Sequence, residues 1–276
     1  YVIARHYPNA DGALGLLDAV VAAQAELVAG WMSLGFVHGV MNTDNMAVSG
    51  ETIDYGPCAF QDIFHPARVF SSIDQHGRYA YNQQPGVAAW NLAQLATALL
   101  PLMGDRDAAI EAATASVHRF EPLFQAAWLA RFRAKLGLQL AEEDDTALVN
   151  GLLDAMAAGS ADFTNTFRGL ADGTARMAFA DAAPLEDWVK AWQSRLSRED
   201  RGAVDRADAM RAVNPSIIPR NHRIEEAIQA GLRGDLAPFQ RLNAALAHPF
   251  EDGPNTVDLA RPPTVEEEVT QTFCGT

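Results

Sequence analysis

From residue 87 to residue 246 the chain is an almost unbroken series of Ala-rich, leucine-spaced segments separated by Pro, Gly or Asp clusters. That composition favours helix, and apolar positions recurring near the helical period give each segment one apolar face. Helices are expected over about 87–103, 106–118, 121–137, 141–158, 160–171, 184–197, 203–212, 222–233 and 236–246. A further long one is expected at 12–34, where Leu16, Leu17, Val20, Val21, Leu27, Val28 and Trp31 share the spacing. Asp11 stands there as N-cap and Gly35 ends the run. Before it, YVIARHYP reads as extended. No segment recurs at a fixed period, so a helical solenoid is not expected. The fold class is therefore mainly α, with residues 249–271 irregular.

The main departure from helix is HGVMNTDNMAVSGETIDYGP, residues 38–57. Residues 46–54 suit a short β-hairpin turning at Ser49-Gly50-Glu51. The hairpin sets Asn45 and Asp54 near enough for an amide oxygen and a carboxylate to meet one cation. Mg²⁺, or Mn²⁺ in its place, takes oxygen ligands and keeps several waters, so two protein ligands suffice when ATP supplies others. The pattern resembles the metal site of a protein-kinase-like C-lobe, where an Asn ends the catalytic loop and an Asp-x-Gly follows. Against the kinase loop H-R-D-L-x-x-x-N, His38 falls on the His, Asn45 on the Asn and Val40 on the catalytic Asp. Valine accepts no proton, so a base at that position is excluded. A carboxylate stands instead at Asp44, beside Asn45. Residues 55–86, rich in turn formers, read as an ordered activation-segment-like loop.

HGVMNTDNM followed by TIDYGP resembles the selenoprotein O (YdiU) family, pseudokinase-fold enzymes that transfer AMP rather than phosphate. GRYAYNQQPGVAAWNLAQLA (77–96), DFTNTFRGL (162–170), NPSIIPRNHRIEEAI (214–228) and TFCGT (272–276) resemble the family in the same order. The resemblance thus spans essentially the whole chain. It implies a protein adenylyltransferase that binds ATP inverted and joins AMP to Ser, Thr or Tyr hydroxyls of protein substrates. It also implies Asp44 as proton acceptor, Asn45 and Asp54 as Mg²⁺ ligands, and Asp54 as part of the ATP site. For Cys274 it implies a redox position, and a Cys58–Cys274 bridge would tie the tail over the loop. The family's usual partner position, near Phe70, carries no cysteine here. By themselves, Cys58 reads as a small buried residue and Cys274 as a free tail thiol.

A net charge of −14 argues against a general nucleic-acid binder. Residues 1–10 lack a secretory start, and no apolar run is read as long enough to span a bilayer, so a cytoplasmic protein away from membranes is expected. The lysines, Lys135 and Lys190, both lie in helical patterns, and no G-x-G-x-x-G occurs. A kinase-like site grips phosphates with a strand Lys and a glycine-rich loop. Residues 1–276 are accordingly expected to be a kinase-like C-lobe with additional C-terminal helices, from a longer protein whose nucleotide-covering lobe lies elsewhere. Alone, they are expected to be weakly active or inactive. Two other readings stay open: a small-molecule or protein phosphotransferase of kinase-like fold, and a catalytically dead helical scaffold binding nucleotide or a partner. His38 is expected to hold the loop in shape. Arg78 and Tyr79 fit packing or an ion pair first and contact with acceptor or phosphate second, and Asn221 fits a helix cap.

Overall fold

The structure is a computed structural model that describes residues 1–253 and 256–273 and is mainly helical. A single turn, α1 (Val2–His6), stands where extended backbone is expected. So short a stretch carries no period that separates strand from helix. The adjoining Tyr7 hydroxyl donates to Val48 O at 2.6 Å and fixes the segment against the loop. α2 (Gly12–Ser33) follows, with Leu17, Val20, Val21 and Val28 buried. Asp11 occupies its N-cap position without making a side-chain cap bond. Gly35, left-handed at φ +71°, ends it. A Cβ there would meet the Phe163 ring at 2.8 Å, so conformation and packing both require glycine.

By length and hydropathy alone α2 is apolar enough to cross a membrane, which corrects the expectation that no such run exists. Its place in the fold accounts for that hydropathy. It packs chiefly on α5 (Phe120–Lys135) and also on α3 (Gln84–Leu99) and α4 (Arg106–His118), at the centre of the main core. Around this centre lie α6 (Asp145–Ala158), α7 (Phe163–Asp172), α8 (Ala183–Leu196) and α9 (Ala203–Arg211), with α6 against α8 and α7 against α9. α10 (Asn221–Leu232) and α11 (Ala237–Leu246) form a helical hairpin. A four-residue helix, α12 (Val257–Ala260), lies in the stretch expected to be irregular. It forms because Leu259 packs with Ile217 and Leu242 in a second small apolar cluster.

Two helix starts fall later than expected, each because of one carboxylate. The Asp145 carboxylate accepts from Arg133 Nε at 2.6 Å, Arg195 Nε at 2.7 Å and the Glu142 N–H at 2.9 Å, which holds residues 142–144 in a turn. Asp162 accepts the Asn165 N–H at 2.8 Å and so caps α7.

The sheet consists of β1 (Phe36–Val37) and β2 (Ala59–Phe60), antiparallel with Phe36 opposite Phe60 and Val37 opposite Ala59. These strands flank the segment from His38 to Pro57. The hairpin expected at 46–54 reduces to one antiparallel bridge, Met46 with Thr52. Side chains have taken carbonyls there: Gln24 Nε2 donates to Ala47 O at 2.7 Å, and Tyr7 takes Val48 O. At the other end of the described chain, Thr272 bridges Ser71 in parallel. Its N–H donates to Phe70 O at 2.8 Å, and its hydroxyl donates to Pro57 O.

Candidate active site

The loop leaving β1 is built from backbone groups gripped by buried side chains. Gln84, at the start of α3, accepts the His38 N–H at 3.0 Å and donates to Phe36 O at 3.0 Å. Asn91, one face further along α3, donates to Met41 O at 2.9 Å. Gly39, at φ +84°, lets the chain pass Pro57, whose carbonyl oxygen a Cβ would meet at 2.8 Å. His38 is fully buried and its Nε2 lies 2.8 Å from Ile53 O, so the ring ties the two arms of the loop together, as expected of it. Burial pushes its pKa below the ordinary imidazole value, which keeps it a neutral Nε2–H donor.

On this frame Asn45 and Asp54 come together at the loop's mouth, and Asp44 precedes Asn45 in the chain. A 3₁₀ turn, Thr43–Asn45, exposes Asp44 and buries Asn45. The Asn45 amide donates to Asp54 Oδ2. Asp54 is exposed and left-handed at φ +54°, a conformation Asp tolerates better than most residues. Among the described residues neither Asp44 nor Asp54 is paired with an Arg or Lys. The Asn45 amide oxygen, the Asp54 carboxylate and the carboxylate of Asp44, next to Asn45 in the chain, are hard oxygen donors of the kind Mg²⁺ or Mn²⁺ takes. No group of three or more His, Cys, Asp or Glu able to hold a metal occurs among the described residues.

The remaining candidates divide. Cys58 is a free thiol donating to Tyr55 O at 3.2 Å, and burial pushes its pKa up to about 11. Cys274, and with it the bridge, lies outside the described residues. Asn221 does not cap α10: Arg220 holds the cap position, and the Asn221 amide donates to Phe60 O at 3.4 Å. Arg220 is itself buried between Asp62 and Asp162. Arg78 makes no ion pair among the described residues and stacks on Trp90 instead, while the Tyr79 hydroxyl donates to Asn42 Oδ1 at 2.6 Å. Sequence reasoning missed Gln84, Asn91 and Trp31, whose indole N–H donates to Thr52 Oγ1 at 2.8 Å. A polar residue at a helix position otherwise marked for the core was the available signal for Asn91; Gln84 fell in the segment read as loop, where no such signal exists.

The family profile described as protein adenylyltransferase SelO matches residues 1–247. The chain belongs to the SelO family. Its relatives include the protein nucleotidyltransferase YdiU of Ruegeria sp. (strain TM1040), 58% identical over 276 residues that cover all of this chain and 58% of the relative. The protein of the same name from Jannaschia sp. (strain CCS1) is 58% identical over 279 residues, all of this chain and 58% of that protein. The one from Roseobacter denitrificans is 57% identical over 276 residues, all of this chain and 57% of that protein. The chain thus spans less than three fifths of the length of these SelO-family relatives.

Proposed function

We propose that residues 1–276 form the metal-binding floor of a protein adenylyltransferase, a kinase-like C-lobe with a helical extension, acting in the cytoplasm on ATP and protein hydroxyls. The observation that carries this reading is the contact of Asn45 with Asp54, beside an unpaired Asp44. Family membership and the relatives' names support nucleotidyl transfer. Asn45 and Asp54 would hold Mg²⁺ or Mn²⁺, which when bound offsets the charge of the triphosphate. Asp44 accepts the proton of a Ser, Thr or Tyr hydroxyl as its oxygen bonds to the α-phosphorus. The bond between the α-phosphorus and the α,β-bridging oxygen breaks, and pyrophosphate leaves with that electron pair. Val40 offers no group for the same task.

The test uses a protein of the relatives' full length containing residues 1–276, supplied with α-labelled or γ-labelled ATP. Transfer of the α label alone, reduced at least about a hundredfold in Asp44→Asn and in Asp54→Ala, is expected. Label arriving only from the γ position rejects AMP transfer in favour of a phosphotransferase. Mg²⁺-ATP binding that Asp54→Ala leaves unaltered, with no label transferred from either position by the parent protein, would leave a catalytically dead scaffold.

A further inference from the structure

Beside the loop stands a second constellation that the reaction itself leaves unused. Asp74 accepts the Arg78 N–H at 2.9 Å and the Tyr79 N–H at 2.8 Å with its two carboxylate oxygens, fixing the turn that presents both side chains. From that turn the exposed Arg78 guanidinium lies 5.0 Å from the centre of the Trp90 ring and 5.7 Å from that of Tyr79. Trp90 is 47% exposed, a large indole left open on a helix whose other face is core. Tyr79 anchors the group to the catalytic loop through Asn42, two residues before Asp44. Trp90 and Thr43 line a common recess of about 430 Å³, which brings the platform to the residue next to Asp44.

Stacking holds a guanidinium in place without neutralising it. In a chain of net charge −14, and with no described carboxylate paired to it, Arg78 is a fixed cation beside an acidic centre. Aromatic faces with an Arg among them are the composition of a recognition surface for a polypeptide. We propose that Arg78, Tyr79 and Trp90 form the docking surface for the acceptor protein, and that Arg78 selects an acidic side chain near the modified hydroxyl. This rests on Asp44 as the base of the AMP transfer proposed above. Because Tyr79, next to Arg78, bonds Asn42 two residues before Asp44, the acidic residue is placed within a few positions of the hydroxyl. The two aromatic rings receive the intervening backbone and aliphatic groups, whatever their sequence.

The test measures binding and transfer separately, in a protein of the relatives' full length. Labelled serine peptides that differ only in carrying Glu, Gln or Lys three residues from the serine are titrated by fluorescence anisotropy. The same peptides then serve as acceptors for α-labelled ATP. The Glu peptide is expected to bind about three- to fivefold tighter than the Gln peptide. That advantage disappears in Arg78→Ala and passes to the Lys peptide in Arg78→Glu, while Trp90→Ala weakens all three alike. Equal binding of the three peptides, or an unchanged order in Arg78→Glu, overturns the proposal. So does a raised KM for ATP with unchanged peptide binding in Arg78→Ala, which assigns the guanidinium to nucleotide phosphates. Peptides bound in the expected order without any α-label transfer support the docking surface and remove the AMP-transfer reading, so the two failures are distinct.

Discussion

Lys135 and Gly39 show how far single residues are committed to this arrangement. The Lys135 ammonium is buried over the Phe167 ring, 4.3 Å from its centre, and burial pushes its pKa down to about 7. In the unfolded chain the amine keeps its proton up to about pH 10.5, so between about pH 7 and 10.5 the unfolded state binds more protons. Stability therefore rises with pH across that window, with a slope of at most about 1.4 kcal/mol per pH unit, and the burial penalty is complete below it. Lys135→Met is expected to flatten that rise and to be more stable than the parent at pH 6.5, as read from urea midpoints at pH 6.5 and 9. Gly39→Ala works in the opposite direction. A left-handed Ala is unfavourable by about 1–2 kcal/mol before its Cβ meets Pro57 O. A fall in Tm of roughly 2–8 °C is expected by calorimetry, at about 2–4 °C per kcal/mol for a chain this long.

Among elements, α3 organises the loop more than any other, and the reason lies at its first turn. Gln84 satisfies one donor and one acceptor of the loop backbone that no strand partner serves. Gln84→Ala leaves both buried, a loss of about 2–4 kcal/mol, and speeds hydrogen exchange at the His38 amide. Gln84→Glu retains the acceptor and is expected to fall between Gln84→Ala and the parent. The helices themselves were legible from apolar spacing, because a helix longer than three turns repeats its pattern enough to declare itself. The contact between Asn45 and Asp54 was legible from their spacing around a short turn. Gln84 was not, since its role depends on a backbone forty-six residues away that no local pattern announces. Arg78, expected to pack or to pair, packs on the Trp90 ring of α3, though which ring it meets was not legible.

At the scale of the molecule, Arg220 joins pieces distant in sequence: Asp62 after β2, Asp162 at the cap of α7, and its own position at the start of α10. Arg220→Ala strands the buried Asp162 and the half-buried Asp62 without their cation, and a loss of about 3–5 kcal/mol is expected from chemical denaturation. Local hydrophobic pattern cannot reveal such a tie, because the pairing is chosen by tertiary approach. Residues 1–276 by themselves are expected to transfer AMP weakly or not at all, which the α-label assay checks directly. Among the described residues Thr272 makes the longest such tie, reaching Pro57 across 215 positions. A ribosome adds about 5–20 residues per second, so the segment after Asp54 waits roughly ten to forty seconds on the nascent chain before its clasp emerges. During translation the loop is thus present well before it is fastened, and a newly made floor spends its first moments with that edge of the site open.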